Sequence, residues 1–270
     1  MEQDDTVFAG SIPLLYEECL VPLIFEPYAV DLARRVHERN PRRVLELAAG
    51  TGVVTRAMAE TLPVDTRIVA TDLNPAMLEQ ARIIGALRPV EWRQADAMAL
   101  PFADGGFDAV VCQFGAMFFP DKARAFAEAR RVLKPGGTFL FNVWDRIDEN
   151  EFADAVGDAL GQVFPDDPPR FMARTPHGYH DVAAIARDLA EAGFASAPRI
   201  ETLAFRCRAE SPRVVAIAYC QGTPWRNEIE ARDASRLEAA TDAAEAEIAR
   251  RFGHGTVSGR MQAHVVEIAA

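Results

Sequence analysis

The chain has 270 residues, enough for one large α/β domain or one domain with a small appendage, and at 49% hydrophobic it can bury a sizeable core. Its 29 Lys and Arg against 40 Asp and Glu give a formal charge of −11, and no Lys/Arg-rich run is present, which argues against a nucleic-acid backbone as partner. Cys19, Cys112, Cys207 and Cys220 are scattered with no C-x-x-C pair, so the pattern points to a reducing compartment, no zinc site, and a buried thiol at Cys112. The opening MEQDDTVFAG is acidic where a secretion signal would be basic, and no apolar stretch is long enough to span a bilayer. The expected location is the cytoplasm.

In chain order, residues 1–40 come before the first strand pattern. There SIPLLYEECLVPLIFEPYAVDLARRVHER predicts two short helices broken at Pro22 and Pro27, serving as a lid or pairing with another subunit in a homodimer. A regular alternation follows over 41–147. RVLELAAG reads as a strand, TGVVTRAMAETL as a helix, RIVATDLN as a strand, and PAMLEQARIIGAL as a helix with Pro75 in its first turn. VEWRQADA is a weaker strand and FDAVVCQFG a strong one. DKARAFAEARRVL is an amphipathic helix closed by KPGG, and TFLFNVW is the fifth strand.

Short buried strands alternating with helices predict a doubly wound, mostly parallel seven-stranded sheet. The irregular stretch 148–180 reads as an insertion. Over 181–270 the sheet ends with strands near 198–208 and 261–269, separated by a helical insertion at 211–255. With the sixth strand parallel and the seventh antiparallel, both insertions leave from the carboxyl edge, where such sheets bind ligands.

The loop in VLELAAGTG carries the chemistry. A phosphate-cradling loop needs G-x-x-x-x-G-K-[ST], which is absent. A dinucleotide loop needs G-x-G-x-x-G, and here Gly50-x-Gly52 is followed by Thr55 at the third small position. Glu46 stands at the strand end, where a NAD(P) site has no use for an acid. Asp72 follows about twenty residues after the loop, where a carboxylate can accept both ribose hydroxyls, which by itself fits NAD equally well. Asp96 ends the third strand and offers an acceptor for an exocyclic amine. Asp72 and Asp96 also suit helix caps or turns.

With these motifs in order, the sequence resembles the class I S-adenosylmethionine-dependent methyltransferases, in particular the ubiquinone/menaquinone-biosynthesis group. VLELAAGTG, ATDLNPAML, ADAMALPFADGGFDAVVCQFGAMFF and RRVLKPGG carry the likeness over roughly residues 40–145. The resemblance implies a Rossmann-like methyltransferase fold, S-adenosylmethionine as cofactor and S-adenosylhomocysteine as product. It implies that Glu46, Ala48, Gly50 and Gly52 lie under the methionine and ribose portions. Asp72 then holds the ribose diol with Leu73 beside the adenine, and Met77 packs on the adenine face. Asp96 and the Ala97 backbone reach the adenine amine, and Gln113 lines the methionine end. The family's loop often begins with Gly where this chain has Ala48, which fits if that residue stays extended.

The implied reaction is in-line transfer of a methyl group to O, C or N of a small-molecule acceptor, which needs no metal. A cofactor-binding protein without transfer chemistry, and an NAD(P)-dependent oxidoreductase, are the alternatives. No catalytic residue is fixed by pattern. His177 and His180 in TPHGYH read as two surface histidines, or one of them as a base. Tyr16 reads as a cap over the methionine end or as an amphipathic core residue. Tyr179, Tyr219, Trp144 and Trp225 read as an aromatic pocket for the acceptor or as ordinary packing.

Overall fold

In the computed structural model, which describes residues 10–270, the continuously apolar runs become strands and the segments of helical period become the helices between them. Residues 1–9 of the acidic opening lie outside the described residues. The chain begins with α1 (Ile12–Leu15), a π-helical segment (Tyr16–Phe25) and α2 (Glu26–Glu38). The alternating region follows as β1 (Arg43–Glu46), α3 (Val53–Thr61), β2 (Arg67–Asp72), α4 (Pro75–Ile84), β3 (Glu91–Gln94), β4 (Phe107–Gln113), α5 (Lys122–Val132) and β5 (Leu133–Trp144). Then come α6 (Glu151–Val163), α7 (Phe171–Arg174), α8 (Val182–Glu191) and β6 (Arg199–Ala209). The chain closes with α9 (Pro212–Gln221), α10 (Trp225–Asp233), α11 (Leu237–Phe252) and β7 (Val257–Ala269).

The seven strands lie in the order β3-β2-β1-β4-β5-β7-β6. β1 pairs in parallel with β2 and β4, β2 with β3, and β4 with β5. The Gly136 N–H donates to the Ala270 carbonyl at 3.1 Å and the Asp145 N–H to the Gln262 carbonyl at 3.1 Å, so β7 runs against β5. Thr202 meets His264 at 2.9 Å and the Cys207 thiol donates to the Gly259 carbonyl at 3.1 Å, so β7 also runs against β6. The expected parallel sixth and antiparallel seventh strands are therefore present.

Two compact units divide the chain. One contains residues up to Phe25, Trp144–Gly178 and Ala204–Gln262; the other contains Glu26–Val143, Tyr179–Leu203 and Ala263–Ala270. In the second unit, strand alternation sends neighbouring side chains of β5 to opposite faces. Leu140 joins Leu32, Val36, Val44, Val54 and Met58 in a cluster built with α2 and α3. Phe139 and Phe141 turn the other way and meet Phe126 of α5, with ring centroids 5.6 and 5.1 Å apart. Phe194, after α8, stacks on Phe139 at 6.3 Å. Helices thus cover both faces, which makes the sheet doubly wound. In the other unit, α11 packs on α6 and α9. Arg251 ties α11 to α6 through Asp154 at 2.7 Å, and Arg213 of α9 reaches Glu238, Asp242 and Glu245 on α11.

Two local expectations are corrected. Pro22 does not break the N-terminal segment: it sits inside the π-helical stretch, and Pro27 falls in the first turn of α2. The wider π turn relieves the clash between a proline ring and the preceding turn, so the helix changes type instead of ending. KPGG is not a turn ahead of the fifth strand. It is an excursion within β5, where the register jumps from Phe107↔Leu133 to Ala109↔Thr138. Gly136, at φ +78°, supplies a left-handed turn there.

Candidate cofactor site at the carboxyl edge

β1 lies between β2 and β4, and the chain leaves it in opposite lateral directions, first to β2 and later to β4. That is the switch point of the sheet, where the loops at the carboxyl ends diverge and leave a crevice. Because β1 to β4 are parallel, Glu46, Asp72, Asp96 and Gln113 all stand at or just beyond carboxyl ends on the same edge. The topology therefore gathers, within one unit, four side chains scattered over 68 positions (46 to 113 inclusive).

The loop after β1 is pinned from both neighbours. The Leu47 N–H donates to the Val111 carbonyl of β4 at 2.8 Å, and the Ala49 N–H to the Thr71 carbonyl of β2 at 2.9 Å. The Thr71 hydroxyl donates to the Glu46 carbonyl at 2.8 Å. Inside the loop, the Gly52 N–H donates to the Ala49 carbonyl at 2.9 Å, and the Arg56 guanidinium holds the Thr51 carbonyl at 2.7 Å.

Three loop residues have left-handed backbones: Ala48 at φ +50°, Gly50 at +56° and Gly52 at +88°. Ala48 is therefore left-handed rather than extended. It carries a side chain in a conformation that glycine adopts without steric cost. Gly52 has a second constraint: a Cβ there would sit 2.7 Å from the indole of Trp92 on β3.

Asp72 is the keystone of this edge. One carboxylate oxygen accepts the Gly50 N–H at 2.8 Å, and the other accepts the Asn74 N–H at 2.8 Å. Burial pushes its carboxyl up, against the pull of the Asn74, Gly50 and Leu73 backbone N–H groups. Asn74 in turn caps α4 through the Ala76 N–H at 2.9 Å. Asp96 makes the corresponding turn, accepting the Met98 N–H at 2.8 Å. Both aspartates thus form turns, and Asp72 also fixes the glycine loop. Leu73 is 58% exposed beside it, whereas Met77 is buried in α4.

Glu46 is buried at 1% exposure, and one of its oxygens accepts the Thr55 hydroxyl at 2.5 Å. Burial raises its carboxyl to about 8, opposed by Thr55 and Arg56 and assisted by the negative charge of Asp72. Thr55 had drawn notice only as a departure from the dinucleotide pattern. Its position one turn into α3, facing back toward the strand end, was the available signal. At the exit of β4, Gln113 pairs with Asn142 of β5, and the Phe114 N–H donates to the Asn142 side-chain oxygen at 2.9 Å. Phe114 is left-handed at φ +51°, and its ring meets Tyr28 edge-on at 5.2 Å. Asn142 and Trp92 were not singled out from sequence, since a strand asparagine and a strand tryptophan have no signature.

With this geometry in view, residues 45–141 match the family described as methyltransferase domain. The match covers 97 of the 270 residues. Among relatives, the domain is similar to the demethylmenaquinone methyltransferase of Thermus thermophilus, 46% identical over 114 residues, or 42% of this chain and 50% of that protein. The chain thus spans about half the length of that curated relative. Among solved structures, the YcgJ protein of Bacillus subtilis superposes with a TM-score of 0.57 at 19% identity, over 90% of this chain and 98% of that one. The phosphoethanolamine N-methyltransferase 2 of Haemonchus contortus, solved with phosphomonomethylethanolamine and S-adenosylhomocysteine, gives a TM-score of 0.61 at 15% identity. That superposition covers 98% of this chain and 59% of that one. At such identities these structures show the shared fold.

The candidate catalytic and aromatic residues are held by neighbours within their own units. His177 is buried at 5% exposure rather than on the surface, with Nδ1 2.7 Å from the Asp145 carbonyl and its ring 6.0 Å from Trp144. His180, at the edge of α8, is half-buried. Tyr16 stacks on Phe25 at 5.0 Å. Tyr179 belongs to the same unit as the methyltransferase domain, donating to Asp188 at 2.5 Å beneath the Lys122 ammonium. Tyr219 and Trp225 meet each other edge-on at 6.2 Å. Tyr179 thus packs within one unit and the Tyr219–Trp225 pair within the other. Among the described residues no group of three or more His, Cys, Asp and Glu is placed to hold a metal ion, and no helix is long and apolar enough to cross a membrane.

Proposed function

We propose that this protein transfers the methyl group of S-adenosylmethionine to O, C or N of a small-molecule acceptor in the cytoplasm. The observation that carries this reading is the bond from the Gly50 N–H to Asp72 at the switch point of the sheet. It locks the glycine loop against the residue suited to a ribose diol, inside a segment that matches the methyltransferase domain family.

The residues present fit the cofactor. Asp72 keeps acceptor capacity for a ribose hydroxyl beside the backbone N–H groups it already accepts. Asp96 keeps acceptor capacity for the adenine amine, with Ala97 adjacent and Leu73 and Met77 supplying apolar surface. Gly50 and Gly52 leave the backbone bare where the ligand passes, and Ala48 and Gln113 border the methionine end. Glu46 supplies a carboxyl for the positively charged end. When bound, the cofactor supplies a methyl group on a sulfonium that is already electrophilic. The chain's own task is to hold that centre in line with an acceptor and exclude water, and orientation of this kind is worth on the order of several kcal/mol.

The match to the methyltransferase domain family ends at residue 141, so we infer that acceptor choice is set by the segments beyond it. His177 is the candidate base among them. Donation from Nδ1 to the Asp145 carbonyl leaves the lone pair of the neutral ring on Nε2. Tyr16, stacked on Phe25, and the half-buried His180 are further candidates.

Calorimetry tests the cofactor reading. S-adenosylhomocysteine binds with micromolar affinity and Asp72→Ala abolishes that binding, whereas NADH and NADPH do not bind. Binding of a nicotinamide nucleotide instead overturns the reading.

A further inference from the structure

Four large apolar side chains stand in solvent at the amino edge of the sheet, where β2 and β3 begin. Val64, ahead of β2, is 90% exposed, and Leu87, ahead of β3, is 81% exposed. Ile83, in the last turn of α4, is 70% exposed with Ile84 exposed beside it. The two connections are tied together, because the Arg88 guanidinium holds the Pro63 carbonyl and, at 3.0 Å, the Met58 carbonyl. Their neighbours Leu62, Ala86 and Val90 pack into the cluster under α2 and α3, which leaves Val64 and Leu87 outside it. A contiguous apolar patch of this kind marks an interaction surface. Among the described residues the other exposed large apolar side chains, Leu14, Val30, Leu73 and Val182, come singly along the chain.

The charges around the patch select its occupant. Residues 60–67 and 79–93 carry Glu60, Asp65, Glu79 and Glu91 against Arg67, Arg82, Arg88 and Arg93, so this face is neutral on a chain of net −11. A strongly acidic or basic partner finds no field of opposite sign here. A second copy, repelled by the acidic remainder of the chain, meets no repulsion at this face. Glu79 and Arg82 stand 3.5 Å apart on α4, a pair of opposite charges that is its own complement under a twofold axis.

We propose that Val64, Ile83, Ile84 and Leu87 form the interface of a twofold dimer of this chain, with Glu79 of each copy facing Arg82 of the other. β3 is the edge strand, and the Arg82 guanidinium covers its Trp92 carbonyl at 3.3 Å. A covered edge resists strand addition, so the copies meet through side chains. A contact between unlike faces needs a second patch, and single exposed residues do not make one, so association closes at two copies. α4 starts at the carboxyl end of β2 and returns to the amino end of β3, which puts its last turn at the edge opposite the glycine loop. Both candidate cofactor sites therefore stay open. The patch is small and suits a weak interface, below about 1,200 Å² of buried surface. The inference stands independently of the cofactor reading.

Sedimentation equilibrium of the full chain tests the dimer, from about 1 μM to several hundred μM. The apparent mass rises with concentration from 29.6 kDa toward twice that value. Ile83→Glu and Leu87→Glu each weaken the association at least about tenfold, and the double variant sediments as a monomer throughout. Val30→Glu, at an exposed position outside the patch, dimerises as the wild type does. Arg82→Glu sets like charges against each other across the axis and weakens the dimer, and Glu79→Arg in the same chain restores it. Melting at low concentration, where all are monomers, shows that the variants fold as the wild type does. A monomer at every concentration overturns the inference. So does a dimer that survives Ile83→Glu with Leu87→Glu, a mass that climbs beyond two copies, or no restoration by Glu79→Arg. The double variant binds S-adenosylhomocysteine as the wild type does, and failure of both to bind it counts against the cofactor reading alone.

Discussion

Ala48 and Gly115 touch across the carboxyl edge so closely that a Cβ on Gly115 would lie 2.4 Å from the Cβ of Ala48. It would also lie 2.8 Å from the sulfur of Cys112. The loops leaving β1 and β4 are therefore fitted to each other, and the switch-point crevice is shaped by two residues outside the glycine motif. Gly115→Ala destabilises the protein by overpacking, by about 1–3 kcal/mol, read as a lower denaturant midpoint. Ala48→Gly removes both the methyl and a side chain held at φ +50°, and changes stability by less than about 1 kcal/mol, since strain relief opposes the added freedom of the unfolded chain. In the double variant the cost of Gly115→Ala shrinks. Strict additivity refutes the contact.

Gly52→Ala is disfavoured twice, by φ +88° and by the Trp92 ring 2.7 Å from the new methyl. The expected outcome is at least a tenfold loss of S-adenosylhomocysteine affinity in calorimetry, with a drop in stability of about 1 kcal/mol or more. Trp92→Leu in the same background recovers part of both. Unchanged binding by Gly52→Ala would show that the ligand does not pass this backbone.

The free protein should become less stable as pH rises toward 8 because of Glu46. Its folded carboxyl is raised to about 8, so between its ordinary range and 8 the folded state holds a proton that the unfolded state has lost. The unfolded state binds fewer protons, and the slope of unfolding free energy with pH is negative. This contribution is fully present below the ordinary carboxyl range and is lost as pH climbs to 8. Glu46→Gln carries no such titration. Its melting temperature relative to wild type therefore rises between pH 5 and pH 8, by an amount on the order of a few kcal/mol in stability. A constant difference over that range counts against the buried neutral carboxyl.

Tyr28 is fully buried, and its hydroxyl donates to the Leu203 carbonyl, 175 positions away, at 3.1 Å. Tyr28→Phe leaves that carbonyl with one donor fewer and costs about 1 kcal/mol in chemical denaturation. A neutral result indicates that water replaces the phenol.

What the sequence disclosed and what it hid follow from range. The strands were legible because Val44–Leu45, Ile68–Ala70 and Ala109–Cys112 are continuous apolar runs, and a strand covered on both faces has no polar side to confuse the pattern. Glu46, Asp72 and the two glycines were legible because strand ends and a tight loop impose local spacing. The torsion of Ala48 was not legible because it is set by what holds the loop, here Val111 and Thr71 on separate strands. Pro22 was read by the rule for α-helices, and the segment is π-helical. His177 looked like a surface residue because TPHGYH is polar and irregular; the Asp145 carbonyl that buries it lies 32 positions earlier. Thr55, Trp92 and Gly115 act through partners that only the fold brings near.

The strand β7 contributes Val257–Gln262 to one unit and Ala263–Ala269 to the other. Each unit is assembled from three separated stretches, so neither can be cut free as a fragment by a single nick or truncation. A register slip in β7 therefore disturbs both units at once, since a shift of one residue turns every side chain of the strand to the opposite face.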